Sequence, residues 1–225
     1  MNVLLQIAVR NVFRNRRRTA FTLSAIVVAL TVVLVITSIN NAFYRFTVGN
    51  AVDSKLGALQ IHRKGYLSNV SLNPLSFHFP YTDKLIEQLE KIEGVKSVAG
   101  RIQLRGLVSN GQDQALFFGR AVDLNREKLV CPRWMDSLNP GSQPLDPASV
   151  SQVLLGLELG RSLGVPTDTS QQVRLAYLNI SAASPSGRQN AIDVEVRGLM
   201  RSELPIEEKR SIVLPLSEAQ ALLGL

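Results

Sequence analysis

The sequence predicts a mixed α+β domain that follows one N-terminal transmembrane helix. The strongest observation is an uncharged, strongly apolar run of 20 residues at positions 20–39. A second is the alternation of short Val/Ile/Leu-rich runs with helical patterns through residues 41–225, which favours strands and short helices. A third is Asn110-Gly111 between two such runs, which predicts a hairpin because both residues tolerate positive φ. We therefore expect mixed sheet strands, hairpins and short helices in the domain.

The apolar run is long enough to cross a membrane as a helix. At about 1.5 Å per residue, it spans about 30 Å, the thickness of the hydrocarbon core. Its polar members are Ser and Thr, whose hydroxyls can donate to carbonyls of the preceding turn. A cleaved signal peptide has a shorter apolar region and a small-x-small motif after it, and residues 40–44 contain no such motif. A run of this length is also atypical of a soluble core helix, so we predict a membrane helix over residues 19–40.

The charges of the N-terminus predict the orientation of this helix. The net charge is +7, but residues 1–19 hold five arginines and no acid, which leaves only +2 for the rest. Positively charged flanks of a membrane helix stay in the cytoplasm. We therefore expect residues 1–18 to be cytoplasmic and residues 41–225 to lie outside the cytoplasm. A nearly neutral outer part without a basic, aromatic stripe also excludes a nucleic-acid-binding surface.

Residues 1–18 have the pattern of a short amphipathic helix that lies in the membrane interface and binds lipid headgroups. The apolar face consists of Leu4, Leu5, Ala8, Val9, Val12 and Phe13. The side that faces water and headgroups includes the basic elbow, which consists of Arg10, Arg14, Arg16, Arg17 and Arg18. A disordered basic tail is the alternative, but such a tail has no reason to repeat helical spacing.

The first half of the outer domain shows strand, loop and helix signals in turn. Short strands are predicted at 59–62 and 95–98, with a polar, Pro-interrupted loop at 66–80 between them. A helix is predicted to begin after the N-cap Thr82 and to end at Gly94. Its apolar stripe is expected to face the core and consists of Leu85, Ile86, Leu89 and Ile92. The predicted hairpin follows, with strands over 102–108 and 115–118.

The second half begins with a long loop at 131–149, rich in Pro, Gly, Ser and Asp. A strand at 153–155 is predicted to pass into a helix at 157–163 that stops at Gly164. Strands over 173–180 and 191–198 are expected on either side of a Ser/Pro/Gly-rich segment. A last strand at 212–214 precedes a capping-box match at 217–220, which predicts the start of a final helix.

The sequence shows no constellation for catalysis or for binding a metal or cofactor. It contains no phosphate-binding loop and no hydrolase or zinc-protease motif. The one cysteine, Cys131, excludes an intrachain disulfide. His62 and His78 are far apart and lack the clustered ligands of a metal site. We therefore expect a protein that is not an enzyme and has no cofactor of its own.

Several stretches together resemble the N-terminal part of ABC-transporter permeases of the MacB, LolC/LolE and FtsX type. The basic helix and first membrane helix of that family are similar to LLQIAVRNVFRNRRRTAFTLSAIVVALTVVLV at 4–35. The start of the family's periplasmic domain is similar to GALQIHRKGYL at 57–67. Its strand-helix unit and its later helix-leading segment resemble VLLGLELGRSLGV at 153–165 and VEVRGLMRSELPIEEKRSIVLPLSEAQALLGL at 194–225.

The resemblance implies a permease subunit in a bacterial inner membrane, with residues 41–225 forming a periplasmic core domain. Such permeases dimerise with a second subunit, either identical or different, and pair with a cytoplasmic ABC ATPase that binds the ATP. They handle periplasmic cargo such as a lipoprotein, a peptide or a drug. A four-helix permease continues beyond a first membrane helix, so this 225-residue chain is expected to be either a fragment or a short protein.

Two functions follow from this interpretation. The first is a permease subunit of an export or lipoprotein-release system, whose cargo-facing edge is predicted at the polar outer end of the membrane helix. This edge consists of Thr37, Ser38, Asn40, Asn41 and Phe43, although interface anchoring is the simpler role for such residues. The second is a single-pass, FtsX-like anchor that recruits a periplasmic partner without transport. An enzyme on a membrane stalk is a third alternative, without any motif in its favour.

Overall fold

The structure is a computed structural model that describes residues 3, 7, 10, 14–69, 74–166, 176–202 and 205–225. It contains two compact units, Met1–Gly49 and Asn50–Leu225. In the basic segment, Val3, Ile7, Arg10 and Arg14 are helical. The predicted apolar face at positions 4, 5, 8, 9, 12 and 13 lies outside the described residues.

A single long helix, α1 (Arg16–Ala51), dominates the first unit and continues into a π-helical turn, Val52–Leu56. None of the residues of α1 is buried, and the helical stretch Arg16–Leu56 is long and apolar enough to cross a membrane. Hydroxyls along it donate to carbonyls one turn back, as Thr22 does to Arg18 at 3.1 Å and Thr31 does to Val27 at 2.8 Å. These bonds satisfy polar groups that lipid could not. The helix runs past residue 40, the predicted end of the membrane segment.

The second unit is built on a closed β-barrel, which confirms the predicted α+β class. Its described strands are β1 (Arg101–Ser109), β2 (Gln114–Val122), β3 (Gln152–Gly156), β4 (Tyr177–Ala183), β5 (Gln189–Met200) and β6 (Ser211–Pro215). Around the barrel they follow the order β1-β2-β6-β3-β5-β4, and β4 pairs back to β1. The pairs β2/β6 and β3/β5 are parallel and the other pairs are antiparallel. The sheet is therefore mixed.

Short helices lie before, between and after these strands. A short helix, α2 (Tyr66–Asn69), and a 3₁₀ turn, Pro74–Phe77, precede α3 (Asp83–Glu90). The remaining helices are α4 (Leu124–Val130), α5 (Leu157–Ser162), α6 (Pro205–Arg210) and α7 (Leu216–Leu223). Because α5 follows β3 and α7 follows β6 directly, both strands enter a helix at a tight corner.

Alternate residues of the central strands face two different apolar clusters. Val153 and Leu155 of β3 pack in the larger cluster, whereas Leu154 between them packs in the smaller one. The smaller cluster also holds Trp134, from the loop after α4, and Val213 of β6. Since both faces of these strands are buried, their sequences are continuous apolar runs without polar alternation.

The structure confirms the hairpin and refines its turn. β1 and β2 pair from Arg101 opposite Val122 to Ser109 opposite Gln114. Asn110 Oδ1 accepts from the N–H groups of Gln112 and Asp113, at 2.8 and 2.6 Å. Gly111 alone of the predicted pair has positive φ, at 92°. The connection is thus a four-residue loop organised by the Asn110 side chain.

Other predicted elements differ from the structure. Residues 59–62 and 95–98 are not strands, and the predicted loop at 66–80 contains α2 and the 3₁₀ turn. Strand β4 begins at Tyr177 and ends at Ala183, later than predicted, and the predicted positions 173–175 lie outside the described residues. In the α3 stripe only Ile86 is buried, and Ile92 is exposed. The N-cap Thr82 is confirmed, since its hydroxyl accepts from the Leu85 N–H at 3.4 Å.

The predicted capping box before the last helix does not form. Helix α7 has Pro215 at its N-cap and no side-chain cap. The Glu218 carboxylate instead accepts from the Ser151 N–H at 2.8 Å, 67 positions away. A long-range partner has replaced the local one that the pattern predicted.

Candidate functional site

A group of buried and partly buried charged and polar side chains surrounds the π-helical turn Val52–Leu56, which belongs to the second unit. The last carbonyls of a helix have no partner within it and need donors from elsewhere. The turn closes where the Gly57 N–H donates to the Val52 carbonyl at 3.0 Å. Gly57 has φ 73°, and a Cβ there would lie 3.1 Å from Val130 Cγ1, so glycine is favoured where the chain leaves the helix.

Arg101, the first residue of β1, binds the carbonyls at this helix end. Its Nη1 donates to the Lys55 carbonyl at 2.8 Å and to the Leu56 carbonyl at 3.1 Å. Its Nε donates to Glu127 Oε2 at 2.9 Å, and its Nη2 donates to Cys131 Sγ at 3.0 Å. A guanidinium can make these contacts together because its donors form a rigid, planar fork. One side chain therefore joins the helix end to β1 and to the region of α4.

Arg120, on the neighbouring strand β2, binds the same helix end. Its Nη1 donates to the Lys55 carbonyl at 2.8 Å and lies 3.9 Å from Glu127 Oε1. The Lys55 carbonyl thus accepts from two guanidiniums on adjacent strands. Cations near a helix C-terminus also interact favourably with the partial negative charge of its carbonyls.

Glu127 is the buried carboxylate that faces both arginines. Its side chain is 0% exposed, and its Oε1 lies 2.9 Å from Arg101 Nη2 as an ion pair without aligned hydrogen-bond geometry. Helix α4 positions it, since Asp123 caps that helix by accepting from the N–H groups of Asn125 and Arg126 at 3.1 and 3.4 Å. Glu127 lies one turn further on, and its N–H donates to the Asp123 carbonyl at 2.7 Å.

The segment after α4 supplies two more donors to the π-helical turn. Cys131, which is fully buried, donates from Sγ to the Val52 carbonyl at 3.3 Å. The Arg133 N–H donates to the Asp53 carbonyl at 3.0 Å. Strand β1, strand β2 and the α4 region therefore all contact the last carbonyls of the helix.

An ion pair at the edge of the group involves the side chain of the same turn. Lys55 Nζ pairs with Glu207 Oε2, which also accepts from Ser202 Oγ at 2.7 Å. Burial works to raise the pKa of Glu207, but the hydrogen bonds from Lys55 and Ser202 prevail and lower it. Because Lys55 is partly exposed, this pair adds less than the buried contacts do.

The two arginines respond differently to their surroundings. Burial is the largest influence on the pKa of Arg101 and lowers it, yet the hydrogen bond and charge of Glu127 outweigh burial and raise the pKa above its usual value. Burial prevails for Arg120 and lowers its pKa, with the Arg101 charge adding to this and Glu127 opposing. Glu127 Oε1 lies 2.9 Å from Arg101 Nη2 and 3.9 Å from Arg120 Nη1, so the carboxylate is closer to Arg101.

The arrangement is suited to holding a helix end and shows no catalytic constellation. In the part of the chain that the structure describes, no group of three His, Cys, Asp or Glu side chains could hold a metal ion. The polar atoms of the arginines and Glu127 are directed at one another and at backbone carbonyls. We therefore name this group the junction cluster: Arg101, Arg120, Glu127, and the carbonyls of Lys55 and Leu56.

The residues predicted to face cargo lie on α1, away from the ends of that helix. At about 100° per residue, Thr37 and Asn41 share a face, whereas Phe43 points to another side. Thr37 donates to the Val33 carbonyl, so its hydroxyl already has a partner in the helix. Ser38 and Asn40 lie between them in the sequence and are exposed. The helix therefore distributes these residues around its circumference, and their contact with cargo stays a prediction.

All five arginines of the basic elbow are helical. Arg10 and Arg14 are helical and exposed, and α1 begins with Arg16, Arg17 and Arg18. Successive residues of a helix point about 100° apart, so the last three arginines cannot share one face. Their role at the membrane interface stays a prediction.

Sequence reasoning did not single out the junction cluster. Arg101 and Arg120 lie at ends of apolar strand patterns, where a charged residue is ordinary. The one local signal was Asp123 before a helical pattern, which predicts an N-cap and hence a helix that carries Glu127. That these charges are buried against a helix end follows only from the tertiary fold.

Comparison with solved structures gives a distant likeness for the chain. It resembles the extracellular domain of the noncanonic ABC-type transporter YknZ from Gram-positive bacteria, with a TM-score of 0.44 and 11% sequence identity over 64% of this chain and 67% of that chain. No protein-family model matches the sequence, and no curated protein matches it significantly. The likeness is too distant to indicate a function by itself.

Proposed function

We propose that this protein is a membrane permease subunit of an ABC-type export or lipoprotein-release system. The observation that carries the proposal is the helical path from α1 into a turn that the barrel unit binds. Helix α1 ends at Ala51 and the π-helical turn continues without a gap to Leu56, where Arg101 and Arg120 bind its carbonyls. A flexible linker would absorb displacement of the membrane helix. A continuous helix would transmit that displacement to the turn.

The properties of α1 support its place in a membrane. Its apolar residues are exposed along its length, as at Phe21, Leu34 and Ile39. A large exposed apolar surface of this kind needs lipid or other helices to cover it. Its hydroxyls bond within the helix, and no charged residue lies between positions 19 and 44, so the cost of burial in hydrocarbon is low.

In this proposal the parts of the chain have separate tasks. The basic elbow meets the cytoplasmic lipid surface, residues 19–40 cross the inner membrane, and residues 41–225 handle cargo in the periplasm. ATP is bound by a partner ATPase, and a second permease subunit completes the membrane part. The resemblance of the sequence to MacB, LolC/LolE and FtsX permeases supports this division.

The deciding experiment is capture of the intact membrane protein from its native membrane in a mild detergent. We expect a nucleotide-binding protein to co-purify and the complex to hydrolyse ATP. Arg10→Gln with Arg14→Gln is expected to reduce the amount of ATPase recovered, because the elbow lies on the cytoplasmic side. A matched control, Arg63→Gln with Lys128→Gln, removes the same charge from exposed positions of the outer domain and should leave recovery unchanged.

Two outcomes would count against the proposal. One is capture without any ATPase under conditions that preserve known transporter complexes. The other is recovery of a periplasmic protein alone, which would support the single-pass anchor and regulator instead. In either case the barrel and its junction cluster would serve attachment without transport.

A further inference from the structure

We propose that the junction cluster is a latch, meaning a contact that transmits force from the π-helical turn to the barrel, with Glu127 as the positioning residue that keeps both arginines on the Lys55 carbonyl. This inference rests on the proposed function, since it names the element through which displacement of the membrane helix reaches the barrel. Glu127 acts through Arg101 and Arg120, whose guanidiniums contact the Lys55 carbonyl directly.

The first step in the argument is the convergence of donors on one carbonyl. The Lys55 carbonyl accepts from Arg101 and Arg120, both at 2.8 Å. A carbonyl oxygen has two lone pairs, so two charged donors can use its full capacity. Hydrogen bonds with one charged partner are shorter and stronger than neutral ones. Displacement of this carbonyl would therefore act on both guanidiniums together.

The second step is where those guanidiniums are attached. Arg101 is on β1 and Arg120 is on β2, and these strands pair along their full length. Strand β2 also pairs in parallel with β6, with Arg120 opposite Val213. Load on the Lys55 carbonyl is thus shared between two strands at the base of one hairpin and passes into the closed barrel.

The third step is the need for Glu127. Two guanidiniums that bind one atom repel each other, and both lie largely away from water. Glu127 is the carboxylate within 4 Å of both, at 2.9 Å from Arg101 and 3.9 Å from Arg120. Removal of one partner from a buried ionic group leaves uncompensated charge, which is far more destabilising than removal of a surface pair. Without Glu127 the arginines would turn toward water and release the carbonyl.

The experiment measures amide hydrogen exchange of the full chain in detergent or lipid nanodiscs, comparing the native protein with Glu127→Gln. We expect amides of the π-helical turn and Gly57 to exchange on the order of tenfold faster, because the turn opens more often once its Lys55 and Leu56 carbonyls lose their arginine donors. The strands β3 and β5 should keep their protection. The matched control is Glu158→Gln, which breaks the exposed i,i+3 pair with Arg161 and should change neither region.

A second variant keeps the test decisive if Glu127→Gln does not fold. Arg101→Lys keeps the positive charge but loses the guanidinium fork, so it cannot bind both the Lys55 carbonyl and Glu127 as Arg101 does. We expect the same local loss of protection at residues 52–57. Unchanged exchange at residues 52–57 in the folded variant would overturn the latch. A uniform rise in exchange across all barrel strands would also overturn it, because that result would mean a general structural role.

A coupling measurement separates the latch from a simple packing contact. In the native complex with its ATPase, we expect ATP to change the exchange of barrel amides. Glu127→Gln should abolish this change while ATP hydrolysis continues. If ATP still changes barrel exchange in a variant whose π-helical turn has lost protection, the latch is overturned, whereas the permease role is unaffected. Failure to capture any ATPase would overturn the permease role. The exchange data would still show whether the junction cluster attaches the π-helical turn to the barrel.

Discussion

Tyr81 shows, at the scale of one residue, how the barrel unit changes the chemistry of a side chain. Its hydroxyl donates to Asp123 Oδ2 at 3.1 Å. Burial raises the pKa of Tyr81 to about 12, the negative charge and hydrogen bond of Asp123 add to this, and a backbone hydrogen bond with Gly100 opposes it. The same Asp123 caps α4, the helix that carries Glu127. Tyr81 therefore supports the cap on which the junction cluster depends.

The raised pKa of Tyr81 predicts a loss of stability in alkaline solution. The unfolded chain releases the phenolic proton near pH 10, whereas the folded protein keeps it until about pH 12. Since the folded state binds more protons in this window, the free energy of unfolding falls as pH rises from about 10 toward 12. The measurement is the thermal midpoint of the protein between neutral and alkaline pH.

The control for this prediction is Tyr81→Phe, which keeps the ring and removes the ionisable group. We expect its thermal midpoint to fall less steeply above about pH 10 than that of the native protein. Identical slopes for the two proteins would show that Tyr81 does not titrate with a raised pKa.

At the scale of elements, the barrel closes where β1 meets β4, and Gly106 lies at this seam. It pairs with Ala182, and a Cβ at Gly106 would lie 1.9 Å from the Ser181 carbonyl oxygen. A contact this short with backbone cannot be relieved by a side-chain rotation. The close approach of the two strands therefore requires glycine here, without any need for positive φ.

Gly106→Ala is expected to lower the free energy of unfolding by about 3 kcal/mol, because the added methyl group forces the seam apart. Chemical denaturation followed by the fluorescence of Trp134, which is the only tryptophan and is buried, measures the change. Gly49→Ala adds the same methyl group where nothing lies within 4 Å and should not destabilise the barrel. Equal denaturation midpoints for Gly106→Ala and the native protein would contradict the steric argument.

Local signals predicted the elements whose partners are close in the sequence. The Asn110 turn, the Thr82 cap and the passage from β3 into α5 depend on neighbouring residues, and the structure confirms them. Residues 59–62 have strand-like composition but no described strand pairs with them, and composition alone does not make a strand. The capping box failed for a related reason, since a distant backbone N–H engages Glu218.

At the scale of the whole molecule, a long apolar helix that could cross a membrane and a folded barrel unit share one chain. The candidate site could not be predicted from the sequence because its contacts are distant along it. Lys55 is 46 positions from Arg101 and 65 positions from Arg120. The long helix, by contrast, depends on the apolar run at positions 20–39 of its own sequence, and a helix there was predicted directly. Its cytoplasmic N-terminus is still a prediction, based on the arginines.

The orientation can be tested by neutralising the arginines that flank the membrane helix. We expect a substantial fraction of the molecules to insert with inverted orientation, because positive flanks hold the N-terminus in the cytoplasm. The variant replaces with Gln the residues Arg14, Arg16, Arg17 and Arg18. Protease access to the outer domain in spheroplasts measures the fraction that is correctly inserted.

A charge-matched control neutralises four exposed lysines in the outer domain instead. These are Lys64, Lys84, Lys96 and Lys128. Accessibility of the outer domain should then stay as in the native protein. An N-terminus that remains cytoplasmic in all molecules of the arginine variant would contradict the proposed orientation signal.

Closure of the barrel has a consequence for how the protein can meet its partners. An open sheet offers a row of unpaired N–H and C=O groups at its edge, to which another chain can add a strand. Each of the barrel strands that the structure describes has a neighbour on both sides. At the seam, β1 pairs with β4 from Gly106 to Ser109, and along such paired stretches an added chain would meet side chains and connecting loops. The same pairing protects these stretches against edge-to-edge aggregation.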